Sequence, residues 1–281
     1  MNLYEKSKKP EEFFLITQYL TRRLAYPLAL LFRRLGFTAN AVTMLGGVSW
    51  MISLFTMLGA GRCFQLGHTG AAWGLVLAST LLWNAGYLLD VADGSLARMT
   101  GTSSASGYFL DFSFHLLFNT TYLCSLGGFL YMITLAPLYL VMAVLSPCCN
   151  WGLSFSAKEH VLCEDVAKGN YRSGDLPRAE EYEVFIDSVK TKTPVEKKRG
   201  SLAVFARVVE ELACFPGQFT FFSVVLAADF LARPWLGERF LLLRCAFVLV
   251  TGIMLLRVPF RLRREFNTMC QYDKRAGPRR G

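Results

Sequence analysis

The chain of 281 residues is 53% hydrophobic, carries a net charge of +9 and has a mean hydropathy of +0.34. That is too apolar for an ordinary water-soluble domain, and apolar runs of about 20 residues read as transmembrane helices. Basic flanks beside such helices account for the positive charge, so no nucleic-acid partner is expected.

Residues 1–37 read as a cytosolic N-terminal segment. Phe13 to Phe37 holds too many charges to span. Arg22 and Arg33, like Arg23 and Arg34, are eleven residues apart, close to three helical turns, so the arginines gather on one side. Phe13, Phe14, Leu20, Leu24, Leu28 and Leu31 supply apolar bulk elsewhere. The pattern predicts an amphipathic helix in the lipid interface, bent at Pro27. A positive-inside topology flank explains the arginines equally well.

Six spans follow: Ala39–Leu58, Ala71–Ala97, Gly107–Ile133, Leu135–Ser156, Leu212–Leu231 and Phe240–Val258. Arg22, Arg23, Arg33 and Arg34 precede the first; Arg261, Arg263, Arg264, Lys274, Arg275, Arg279 and Arg280 follow the last. Both termini are therefore predicted inside, as an even number of spans requires. The fold class is all-α: a polytopic membrane protein of six transmembrane helices with an N-terminal amphipathic interfacial helix. Residues 38–156 hold helices one to four, 157–211 a cytosolic insert and juxtamembrane helix, 212–258 helices five and six, and 259–281 a basic cytosolic tail. The tail reads as disordered after Phe266.

The first span opens at Thr38, with Thr38 or Asn40 as its N-cap. The link from Gly59 to Gly70 reads as a short outer connection. From Ala157 to Gly200, nine basic and nine acidic residues cancel and aromatics are few, the composition of an insert and not a span. Within it Tyr182, Phe185, Ile186 and Val189 make one apolar helical stripe. A second short helix, Leu202–Leu212, leads into span five. Asp229 and Arg244 both fall near the outer end of their spans, where a charge pair or snorkelling is expected. The eight cysteines read as small buried hydrophobes.

The chemistry concentrates where spans two and three meet. Asp90 and Asp93 end one apolar run, and Asp111 and His115 begin the next. A charge at the centre of a membrane helix costs roughly 2.5–3.5 kcal/mol, so three carboxylates here need a compensating reason. Residues three or four apart share a helical face, which puts Gly86, Asp90, Asp93 and Ala97 on one stripe. Gly107, Asp111, His115 and Asn119 make a second stripe. The polar link from Met99 to Ser106 is short enough to set the two helices antiparallel. Small residues at Gly86, Gly94, Ala97 and Gly107 let them approach. Three converging carboxylates offer hard oxygen ligands for Mg²⁺, Mn²⁺ or Ca²⁺, and suit a pair of such ions.

The spacing Asp90-x2-Asp93-Gly94-x2-Ala97-Arg98-x8-Gly107-x3-Asp111 resembles the signature of the CDP-alcohol phosphatidyltransferases. The family pattern ends in a fourth Asp, where this chain has His115. The resemblance implies a membrane enzyme that moves a phosphatidyl-type group from a CDP-alcohol, such as CDP-diacylglycerol, to the hydroxyl of a second alcohol, with CMP leaving. It implies two Mg²⁺ or Mn²⁺ ions held by Asp90, Asp93 and Asp111, with His115 in the place of the catalytic base. Asn40 and Thr43, in a stretch similar to the family's Thr-Pro-Asn-x2-Thr, become cytidine-side contacts. Gly94, Ala97 and Gly107 make room for the nucleotide, and Arg98 contacts a phosphate or holds the turn. Lys158, Arg199 and Arg207 flank the same mouth, facing an acceptor alcohol that the sequence does not choose. The lipid bilayer is the setting, the active site faces the cytosol, and a homodimer is among the assemblies allowed. Two other classes compete with the enzyme: a degenerate member acting as a metal- or nucleotide-binding or scaffolding subunit, and a transporter using intramembrane carboxylates.

Overall fold

The computed structural model describes residues 3–7, 17–102, 104–151, 215–237 and 239–276. A short helix α1 (Leu3–Ser7) comes first, then a π-helical turn (Thr17–Thr21) that runs into α2 (Arg22–Arg34). The apolar helices are α3 (Ala39–Gln65), α4 (Thr69–Thr100), α5 (Ala105–Thr134), α6 (Leu138–Trp151), α7 (Phe215–Leu236) and α8 (Leu241–Ala276). Among the described residues there is no strand. Five helices are long and apolar enough to cross a membrane, and α6 is a shorter apolar one. The chain is an all-α polytopic membrane protein.

The helix pair α3–α4 is the spine. A Cβ on Gly86 would stand 2.2 Å from Trp50 Cδ1, and one on Gly46 would meet the Gly86 carbonyl at 3.2 Å. Only glycine fits where two helices press this closely. Serines reinforce the seam, Ser49 Oγ donating to the Leu82 carbonyl at 2.8 Å and Ser79 Oγ to that of Ser53 at 2.7 Å. Around this spine packs an aromatic core in which Trp50, Trp83, Phe118, Tyr122, Phe219 and Phe222 are all buried. Trp50 stacks on Phe118 with centroids 4.6 Å apart, and Tyr122 meets Phe219 edge-on at 4.8 Å. Both indole N–H groups find acceptors, Trp50 on the Trp83 carbonyl and Trp83 on Ser223 Oγ, as buried tryptophans require.

Helix α2 lies outside the apolar spans and packs Ala25 and Ala29 against Ala92, Leu96 and Met99 of α4. Its arginines do not all share one side. Arg23, Arg33 and Arg34 are exposed, but Arg22 is buried and donates to the Ser7 carbonyl at 3.4 Å. Burial pushes the Arg22 guanidinium down from its ordinary pKa, while Tyr87 and Tyr4 pull it back up.

Three further expectations are corrected. Helix α3 continues to Gln65, so the link between α3 and α4 is only Leu66–His68. Gly61 lies within the helix, with Met132 and Phe129 of α5 packed against it. The last helix runs on to Ala276, past Phe266; its Arg, Glu, Gln and Lys residues are good helix formers that extend a turn already nucleated.

The third correction is Asp229, which among the described residues pairs with no arginine. Its two carboxylate oxygens accept the backbone N–H groups of Leu242 at 3.0 Å and Leu243 at 2.7 Å, closing the first turn of α8. Arg244 instead donates through Nε to the Tyr139 hydroxyl at 2.9 Å. The first N–H groups of a helix have no partner within it, and away from water each needs one. Asp229→Ala is therefore expected to lower unfolding free energy by about 2 kcal/mol, with Asp229→Asn losing less. Thermal unfolding in detergent measures both, and an Asp229→Ala protein as stable as its parent would contradict the capping role.

The stripe Tyr182 to Val189, the helix Leu202–Leu212, and Lys158, Arg199 and Arg207 lie outside the described residues, as does the end of the fourth span beyond Trp151.

Candidate metal centre

Three helix ends meet at one end of the bundle: the start of α3, the end of α4 and the start of α5. Thr38, not Asn40, caps α3, its side chain accepting from Ala41 N at 3.2 Å. Gly101 closes α4 at φ +68°, a backbone conformation that favours glycine. Ser104 then caps α5 by accepting from Gly107 N at 3.1 Å.

The two stripes bring Asp90, Asp111 and His115 together, with ligand atoms that all lie within 4.8 Å of one another. His115 Nε2 is 3.1 Å from Asp90 Oδ1 and 3.2 Å from Asp111 Oδ1, so the imidazole bridges the two carboxylates. Side-chain exposure falls from 39% at Asp111 to 27% at His115 and 14% at Asp90, which opens the cluster on the α5 side. Asp93 is not in this group. It is buried, and its Oδ2 accepts the Thr43 hydroxyl at 2.5 Å.

Residues 37–171 match the family model described as CDP-alcohol phosphatidyltransferase. That stretch contains the whole cluster. Over these residues the chain is similar to the CDP-alcohol phosphatidyltransferases. That family transfers phosphatidyl groups from CDP-alcohols and uses a divalent metal, and the similarity supports a transferase in a membrane protein. A search of curated proteins found no match, and a search of solved structures found none.

The side chains gathered here fit a divalent ion. Two carboxylates and an imidazole on facing helices form a compact set of oxygen and nitrogen donors, and a third carboxylate is held close by on α4. Other residues of the signature take structural places. A Cβ on Gly107 would stand 3.0 Å from Asn40 Oδ1 and 3.2 Å from Ser104 Oγ, a tight fit that a small shift of these side chains would relieve. Gly94 is covered by the Arg98 guanidinium, whose Nη1 lies 3.2 Å from where a Cβ would be. Ala97 and Gly94 are both half-buried.

Two neighbours border these side chains: Trp50, which was not anticipated, and Thr43, which was expected as a cytidine-side contact. Trp50 lies 5.8 Å from the His115 ring, and Thr43 orients Asp93. Their signal was spacing along α3: Thr43, Gly46, Gly47 and Trp50 fall at i, i+3, i+4 and i+7, the face that meets α4 and α5.

Proposed function

We propose that the protein transfers a phosphatidyl group from CDP-diacylglycerol, or a similar CDP-alcohol, to the hydroxyl of an acceptor alcohol, releasing CMP. The observation that carries this reading is the convergence of Asp90, Asp111 and His115 inside the matched domain. Asp90, Asp93 and Asp111 are the ligands for Mg²⁺ or Mn²⁺, two ions in all. When bound, such ions offset the negative charge that gathers on the phosphoryl oxygens and on departing CMP. Asn40, Thr43, Gly94, Ala97 and Gly107 form the nucleotide side, and Arg98 supplies a guanidinium to a donor phosphate. The acceptor oxygen bonds to phosphorus as the bond to CMP breaks, and its proton passes to the neutral imidazole of His115.

The test is purified protein with labelled CDP-diacylglycerol, Mn²⁺ or Mg²⁺ and a panel of alcohols, read as CMP release with and without EDTA. Release undiminished by EDTA, or absent with every acceptor, contradicts the reading.

The position of His115 favours one second reading. An imidazole lodged between two carboxylates can substitute for a cation, which suits a catalytically impaired member that binds nucleotide or serves as a scaffolding subunit. CDP binding without turnover would support it.

The distribution of lysine and arginine supports an orientation with both termini, the 157–200 insert and the metal centre in the cytosol. Single cysteines placed in the insert of a cysteine-depleted chain should resist an impermeant reagent added outside intact cells. Labelling from outside would reverse the topology.

A further inference from the structure

The amino-terminal helix is tied to the signature arginine. Arg98 Nε donates to the Ser7 carbonyl at 2.9 Å, across 91 residues of sequence. Arg22 Nη1 reaches the same oxygen at 3.4 Å from α2. At its other end α1 leans on α2 through Tyr4, whose ring meets Tyr26 edge-on with centroids 5.0 Å apart. Ser7 Oγ donates to the Tyr4 carbonyl at 2.7 Å, closing the single turn between these anchors. Five residues are too few to hold a helix by themselves, so contacts with α2 and α4 fix α1 in place.

The consequence falls on Arg98. Asp90, Gly94 and Arg98 follow one another at helical spacing along α4, and the Arg98 side chain folds back one turn to cover Gly94. Its guanidinium thus rests over the residue next to Asp93. Arginine has many rotamers, and holding its planar fork in one orientation removes freedom that a ligand would otherwise have to remove.

We infer that α1 is a latch which positions Arg98 for the phosphate of the CDP-alcohol donor, making Tyr4 and the Ser7 carbonyl positioning groups of this site. The inference rests on the transferase reading and deepens it. Releasing α1 frees the guanidinium to sample other rotamers, so donor binding weakens while the chemical step is little changed.

Tyr4→Ala in the full chain removes the contact with Tyr26, and Tyr4→Phe keeps the ring. The assay is CMP release at varied CDP-diacylglycerol, with Mn²⁺-dependent binding of CDP as a second readout. Tyr4→Ala should raise the donor KM and the CDP dissociation constant about tenfold, the effect of reordering one long side chain, with kcat within about twofold. Tyr4→Phe should match the parent. In an Arg98→Lys background, where the Nε donor is gone, Tyr4→Ala should add nothing. Should Tyr4→Ala not be recovered folded, Tyr26→Leu removes the same contact from α2.

An unchanged KM in Tyr4→Ala overturns the latch, as does an equal effect with Arg98 or Lys at position 98. Tighter donor binding on release would make α1 a brake and also overturn it. A parent that neither binds CDP nor releases CMP removes the transferase reading and the latch with it. An active parent with a silent Tyr4→Ala removes the latch alone.

Discussion

Asp93→Asn is expected to cut CMP release by about 10³-fold or more while the protein stays folded. Asp93 is buried and its Oδ2 takes the Thr43 hydroxyl. Asparagine has the same shape and keeps an oxygen for Thr43, so the change removes charge and little packing. Buried carboxylates grouped on two helices repel one another and are costly to desolvate. Without metal, the variant should therefore melt at the parent's temperature or above it, as active-site substitutions often do. Added Mn²⁺ should reverse the order, because an ion that binds only the folded state stabilises it, and the variant binds that ion weakly. Paired melts in EDTA and in Mn²⁺, run beside CMP release, check both halves. Equal Mn²⁺ stabilisation of parent and variant would take Asp93 out of the ligand set.

His115→Ala should reduce turnover by about 10²–10⁴-fold with donor binding retained, the usual range for loss of a general base. The argument is geometric. Nε2 lies between Asp90 and Asp111, on the two helices that carry the signature, so a proton leaving an acceptor hydroxyl there has an imidazole within reach. His115→Asp should keep substantial activity, since a carboxylate one turn after Asp111 can take the same proton. The comparison also separates the two readings of the site. If His115 marks an impaired enzyme, His115→Asp should release CMP where the parent does not. A His115→Ala protein as active as the parent would remove the side chain from the mechanism.

Helical periodicity explains what was readable in the sequence. Asp90 on one run and Asp111 and His115 on the next come together because a short polar link makes α4 and α5 antiparallel neighbours. That needs only the rise and twist of a helix. The apolar runs likewise gave the helices, although α3 and α8 continue well past the expected ends at Leu58 and Val258. What was hidden depends on partners that residue identity does not reveal. The donors for Asp229 are backbone N–H groups, which every residue other than proline carries, so its composition pointed to Arg244 instead. Thr43 reaches Asp93 only because glycines set how deeply α3 and α4 interlock. The five residues of α1 show no periodicity at all, and their role emerges only through a carbonyl oxygen.

Gly86 illustrates how little room for change such a site has. It sits one turn before Asp90, with the Trp50 indole in the volume a methyl group would need. Trp50 in turn lies against Phe118 and beside His115. One added carbon therefore presses on both halves of the chemistry at once, on Asp90 along its own helix and on His115 through the indole. Gly86→Ala should lower metal-free melting temperature and CMP release together, with overpacking costing about 1–3 kcal/mol, whereas Asp93→Asn should lower the release without lowering the metal-free melting temperature. The smallest mutational lesion available to the chain would thus be among its most damaging, at a position with no reactive group.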